Sequence, residues 1–199
     1  FASGNWSEGL TAYLADHLIK EQRGQAADYR QQGLQKYRDY AANNRDFPLT
    51  EFRSRHSSAT ESVGYGKTLM LFHMLRRQLG DELFIEGLQR LYRDFRFRVA
   101  AFSDVQQVFE QVAGQSLAQF FEQWVERTGA PALLLDQARF DANGERGTLS
   151  LAISQVQPGD PYLLDIPIAV SLDGHDKAHE VVVRMADRRQ TFSIELPAR

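Results

Sequence analysis

Trp6-Ser7-Glu8-Gly9 opens an amphipathic run close to the first residue of the chain. A carboxylate in the first turn of a helix, beside an aromatic anchor and a glycine, can supply the third protein ligand of a catalytic zinc. Sites built from two histidines and one glutamate leave the fourth position to water or substrate. The two histidines would come from an H-E-x-x-H helix. That motif is absent from the 199 residues, and seven residues ahead of Glu8 leave no room for a partner helix. The expectation is a piece of an enzyme, separated from the rest of its own active site. Glu8 also has a plain helical role open to it. Asn5 could cap the helix while Glu8, three positions on, reaches back to the Asn5 amide in a variant of the capping box. The two roles are compatible.

A second group capable of chemistry is Tyr65, within Val63-Gly64-Tyr65-Gly66-Lys67. At a glycine-flanked helix start, a tyrosine can project its hydroxyl into a cleft and donate to a developing oxyanion. It can equally staple the helix N-terminus. The histidines offer less. His175 and His179 are spaced i, i+4, but they flank the Gly174 turn between strands, so the spacing does not bring them to one helical face. His73 lies on an apolar helix and reads as a core or boundary histidine. His56 stands with Arg53 and Arg55 in an irregular segment and reads as solvated loop charge, with a substrate-cleft contact as the alternative. Arg76-Arg77 and the run from Arg93 to Arg98 read as solvated helix faces. There is no glycine-rich phosphate loop, and no nucleophile-elbow sequence argues for a serine triad.

These groups must be held by helices first and strands afterwards. Leu10, Tyr13, Leu14 and Leu18 predict one buried stripe on a helix over 7–21, with Gly24 beyond its end. A half-buried helix is expected over 25–42. Residues 43–64 show no sustained period, and long irregular segments tend to be functional or mobile. Leu69, Phe72, Met74, Leu75 and Leu79 predict a helix over 65–79 stopped by Gly80. Asp81 is placed to cap the next helix, and Ser103 or Asp104 the one after. Gly114 separates that helix from an apolar run of Leu117, Phe120, Phe121, Trp124 and Val125. Thr128-Gly129-Ala130-Pro131 ends the helical part. Beyond it, alternation at 148–156 and 164–170, the run Val181-Val182-Val183, and Phe192, Ile194 and Leu196 predict about five strands, with a turn at Asp141-Ala142-Asn143-Gly144. This pattern fits a small antiparallel sandwich. The reading is α+β: a helical part over 1–131 and a β-sandwich, immunoglobulin-like, over 132–199.

Composition agrees with a soluble globular chain, with 43% apolar and 25% charged residues. A net charge of −3 argues against a nucleic-acid partner. No apolar run approaches a membrane span. Without cysteine there is neither a disulfide nor a thiolate metal site.

Three segments in order carry a resemblance. They are Gly4-Asn5-Trp6-Ser7-Glu8-Gly9-Leu10-Thr11-Ala12-Tyr13, then Val63-Gly64-Tyr65-Gly66-Lys67 opening a helix that runs to Gly80. The third is Phe120-Phe121-Glu122-Gln123-Trp124, followed by Gly129-Ala130-Pro131 and strands. Together the chain resembles the C-terminal part of the catalytic domain, plus the following β domain, of the aminopeptidase N-like gluzincin metallopeptidases. The resemblance implies that Glu8 is the zinc ligand of the W-x-x-E-G pattern. It implies that Tyr65 is the tyrosine of the Y-x-K-G pattern, facing the oxyanion of the tetrahedral intermediate. Ser7 stands where asparagine is more usual, and Thr68 stands in place of the glycine after Lys67. The implied activity is hydrolysis of N-terminal peptide bonds by the whole protein, with zinc as cofactor and the missing N-terminal part as partner. The stretch alone is expected to be inactive, and no substrate-binding residue is assigned. The other functional class is a peptidase-like scaffold that has kept only binding surfaces.

Overall fold

The computed structural model describes residues 3–143, 146–174 and 176–197. It is α+β, and it divides into two compact units, Phe1–Gly129 and Ala130–Arg199.

The helical unit begins with α1 (Trp6–Ala12), which passes through a π turn (Tyr13–His17) into α2 (Leu18–Gln22). The π turn closes i→i+5 hydrogen bonds and brings residues four apart over one another. Gly9, Tyr13 and His17 therefore form the buried line. Leu14, expected inside, is 40% exposed. Next comes α3 (Ala26–Tyr40), which contains no buried residue. Residues 43–64 are less irregular than their sequence suggests. A 3₁₀ turn (Leu49–Glu51) buries Leu49, and α4 (Ser58–Glu61) is capped by the Ser57 hydroxyl accepting from the Thr60 amide. The Thr60 hydroxyl in turn accepts from the Ser57 amide at 2.9 Å. Threonine in place of the usual Glu or Gln at the third position hides this capping box from a pattern search. α4 continues through a second π turn (Ser62–Lys67) into α5 (Thr68–Leu79), so Tyr65 lies inside a helical rod and not at its start.

α6 (Asp81–Phe95) follows directly after Gly80. Asp81 does not cap it by a side-chain bond; its carboxylate accepts from Arg76 Nε at 2.7 Å. α7 (Phe102–Ala113) is capped from the third position, where Asp104 Oδ2 accepts from the Ala101 amide at 2.7 Å. α8 (Ala118–Phe121) runs into a third π turn (Glu122–Glu126). Val63, Leu71, Phe72, Leu75, Val105 and Phe109 lie at the centre of the shared core.

In the second unit, β1 (Leu133–Asn143), β2 (Arg146–Gln155) and β5 (Arg189–Pro197) form one antiparallel sheet in the order β1-β2-β5. β3 (Leu164–Val170) pairs antiparallel with β4 (His179–Met185). Leu151, Ile194 and Leu196 are the buried centre, and Ile168, Val170, Val181 and Val183 of the second pair pack against them. Asp141 to Asn143 belong to β1; Gly144 of the expected turn lies outside the described residues, as does His175. Among the described residues no helix is long and apolar enough to cross a membrane.

A polar cluster, buried at Tyr13 and His17 and partly exposed at Arg76 and Glu21, ties the first helical rod to α5. The Tyr13 hydroxyl lies 3.5 Å from His73 Nδ1 and accepts from Arg76 Nη1 at 3.3 Å. Arg76 also pairs with Glu21 at 3.1 Å. His17 is fully buried, stacks on Tyr13 with ring centroids 4.8 Å apart, and accepts at Nε2 from Arg30 at 2.8 Å. An arginine can only donate, so the neutral His17 ring carries its proton on Nδ1, which faces Glu21 at 3.7 Å.

Burial, reinforced by Arg30, His17, Arg77 and Arg76, holds His73 down to about 3. Because its folded pKa lies below its unfolded value, the neutral ring contributes stability above about pH 6.5. That contribution fades as pH falls from there toward 3. Urea unfolding should therefore show stability dropping below pH 6.5, with a shallower drop in His73→Gln. An identical pH slope in the two proteins would contradict the burial of a neutral His73.

Candidate active site

The two residues with expected chemistry meet. The Tyr65 hydroxyl faces the Glu8 carboxylate, and hydrogen bonding to it, followed by desolvation, raises the phenol above the ordinary tyrosine range. Both side chains are half-buried.

Backbone contact brings them together. A Cβ added at Gly9 would lie 2.3 Å from Thr68 Cβ and 3.2 Å from the Gly64 carbonyl. α1 thus crosses the second π turn so closely that only hydrogen fits at position 9. The residue before the crossing, Glu8, is carried to the turn that bears Tyr65. Thr68 fills the space that Gly9 leaves. A Cβ at Gly64 would meet the Phe52 ring at 2.2 Å, so the turn is pressed on its other side as well. Phe52 then meets Tyr65 edge-on, with centroids 5.9 Å apart. Arg55 lies 6.0 Å from the Tyr65 ring centroid and pairs with Glu61 at 3.4 Å. π turns recur at functional sites because they re-aim side chains within an otherwise regular helix.

The start of α1 is pinned by long-range bonds, which removes the capping role from Glu8. The Asn5 amide donates to the Phe52 carbonyl at 2.9 Å and not to Glu8. Asn5 Nδ2 donates to the Arg53 carbonyl at 3.0 Å, and Asn5 Oδ1 accepts from the Ser7 hydroxyl at 2.6 Å. The Trp6 indole donates to the Ala100 carbonyl at 2.8 Å. The aromatic and the asparagine thus anchor the helix end, and Ser7 supports the anchor. The glutamate is left to face Tyr65.

The other sequence candidates fall elsewhere. His56 bonds Ser54 at 2.8 Å in an exposed segment, and Arg53 donates to the Thr50 carbonyl at 2.7 Å. His73 belongs to the buried cluster, and His179 lies on β4. His17, buried in that same cluster, carried no motif and was legible only as one polar residue on a helix. Among the described residues no group of three or more His, Cys, Asp or Glu side chains could hold a metal ion. Glu8 fits as one carboxylate ligand, half-exposed and not consumed by a cap.

Residues 5–124 match the model of the Peptidase family M1 domain, more than half of the chain, and the protein belongs to that family. The chain is 31% identical over 72 residues to aminopeptidase N of Lactococcus lactis, covering 36% of this chain and 8% of that protein. It is 23% identical over 140 residues to the mitochondrial aminopeptidase 2 of Saccharomyces cerevisiae, covering 69% of this chain and 14% of that protein. The chain thus spans a small part of the curated relatives it matches. In fold it is similar to Legionella pneumophila aminopeptidase A, solved in complex with aspartic acid. The TM-score is 0.57 at 18% identity, over 99% of this chain and 23% of that one.

Two outcomes follow from this geometry. In the metal-free chain, Glu8→Gln removes the charge that keeps the Tyr65 proton in place. The phenol should then titrate closer to pH 10. Ultraviolet titration, with Tyr65→Phe subtracted, reads the shift; an unmoved titration would contradict the bond. Gly9→Ala should cost roughly 1–3 kcal/mol by overpacking. Thr68→Gly, which removes the Cβ that the new methyl would strike, should restore part of that loss in the double mutant, because the two sites share one space. Additive costs in urea unfolding would place the clash elsewhere.

Proposed function

We propose that this chain is the part of a zinc-dependent aminopeptidase that contributes one metal ligand, Glu8, and one transition-state donor, Tyr65. The remaining ligands and the general base would come from a segment of the same protein outside these residues. The observation that supports this reading is the approach of the Tyr65 hydroxyl to the Glu8 carboxylate, between motif residues far apart in sequence. A ligand and an oxyanion donor of one site have to face one cleft, because the substrate carbonyl must reach the metal and the donor together.

Bound zinc would supply the Lewis acid that polarises the scissile carbonyl and lowers the pKa of bound water. Glu8 would hold the metal from the first turn of α1, a helix end fixed by Asn5 and Trp6. Tyr65 would remain protonated at neutral pH and offer its hydroxyl to the oxygen that gains charge. A donor already aimed before the reaction needs little reorganisation during it. Peptides with a free N-terminus are the proposed substrates. The chain by itself would be inactive, since one carboxylate does not retain a catalytic zinc.

In the whole protein, Tyr65→Phe should lower kcat by about 10²–10³ with little change in KM, as expected for a donor used in the transition state. Glu8→Ala should lose bound zinc in metal analysis. The isolated chain should show no turnover of aminoacyl substrates with zinc added. Turnover by the isolated chain, or unchanged zinc content in Glu8→Ala, would remove Glu8 from the metal site. A whole protein without zinc or turnover would instead make this a binding scaffold.

A further inference from the structure

The turn that carries Tyr65 also carries a buried lysine, and nothing in the reaction described above uses it. Lys67 is 9% exposed as a residue and its side chain is 8% exposed. Its ammonium donates to the Arg127 carbonyl at 2.8 Å and stands 3.9 Å from Asp46 Oδ2. Asp46 is itself enclosed, with its side chain 12% exposed. Its Oδ2 accepts from the Tyr37 hydroxyl at 2.7 Å and from the Gly129 amide at 2.5 Å. One lysine and one aspartate thus join four pieces of the helical unit: α3 through Tyr37, the loop at Asp46, the second π turn, and the last residues through Arg127 and Gly129.

We propose that Lys67 is a positioning residue for Tyr65: its buried ion pair with Asp46 and its bond to the Arg127 carbonyl lock the π turn, so that the Tyr65 hydroxyl is held toward Glu8. Side chains two positions apart on a helical turn do not face each other. Lys67 grips the turn from one side while Tyr65 projects from another. A π turn has a competing α-helical arrangement of the same residues, in which every later side chain rotates about the axis. A charge buried at the end of the turn selects between the two, because leaving it unpaired is costly. Burial depresses the Lys67 ammonium below the ordinary lysine range and Asp46 opposes that, so the ion pair is what keeps the charge inside. An apolar side chain there would fill the space without fixing the rotation. The proposal rests on the reading of Tyr65 as a transition-state donor only for its effect on rate.

The test uses the whole protein with ring-labelled tyrosine. The Tyr65 resonance is assigned by its disappearance in Tyr65→Phe. In Lys67→Met that resonance should shift and broaden, while those of the buried Tyr13 and Tyr162 stay in place. kcat should fall about tenfold or more with KM little changed. Lys67→Met should add nothing further in a Tyr65→Phe background, because a positioning residue has no target once the hydroxyl is gone. Asp46→Asn keeps the volume and removes the facing charge. It should move the Tyr65 resonance in the same direction by less, and it decides the matter alone if Lys67→Met does not fold. A Tyr65 resonance unchanged in the folded variants overturns the proposal. A resonance that moves while Tyr65→Phe leaves kcat unchanged would sustain the positioning role and remove the catalytic reading of Tyr65.

Discussion

The site depends on one steric fact: where α1 crosses the second π turn, the Thr68 side chain and the Gly64 carbonyl fill the space beside position 9. Contact at this distance excludes any side chain on the crossing residue, and Gly9 meets that demand. Neighbours of the contact inherit its geometry. Glu8 precedes Gly9, Tyr65 follows Gly64, and the two side chains come within hydrogen-bonding reach with no local sequence link. Around the crossing, Phe52 braces the turn from behind, and Asn5 and Trp6 hold the helix end by bonds to the 52–53 backbone and to Ala100. The dipeptide Glu8-Gly9 with its aromatic anchor, Trp6, is therefore a packing device as much as a chemical one.

Electrostatics then sets how the pair behaves. Without a metal, the carboxylate takes the phenol proton as its partner and the hydroxyl stays protonated. A cation at Glu8 would compete for the same oxygen lone pairs, which would free the hydroxyl to donate elsewhere. One bond can thus hold the donor in place before substrate arrives. The rigid groups behind it are uncommon in kind. His17 and His73 are kept neutral by burial beside Arg30 and Arg76, and Lys67 is kept charged by Asp46. Helices of this unit are tied by polar contacts in places where an apolar core would permit sliding.

Glu8 and Tyr65 could be singled out in the sequence because each sits in a short motif that resembles one of the metallopeptidase family; their residue types alone suited a helix cap and a helix staple as well. The helix-to-strand change near Pro131 was legible too, since hydrophobic period switches there from 3.6 to 2. The three π turns were not. Each shifts side chains by a fraction of a turn, and a period search averages that away. Leu14 was placed inside and His17 overlooked for this one reason. Asn5 looked like a cap because its type and position suit one; its actual partners, the carbonyl groups of Phe52 and Arg53, lie far along the chain. The Ser57–Thr60 box and the Lys67–Asp46 pair were invisible for related reasons. The first uses an unusual residue, and the second joins segments that no local pattern connects.

The central claim is that Glu8 and Tyr65 serve one metal-bound reaction centre. Anomalous diffraction at the zinc edge, on crystals of the whole protein with a peptide analogue bound, tests it most directly. The account predicts a zinc ion with a Glu8 carboxylate oxygen about 2.0–2.2 Å away and the Tyr65 hydroxyl turned toward the analogue's oxyanion mimic. A fully coordinated zinc that lacks Glu8, or a Tyr65 side chain still bonded to Glu8 and directed away from the analogue, would contradict it.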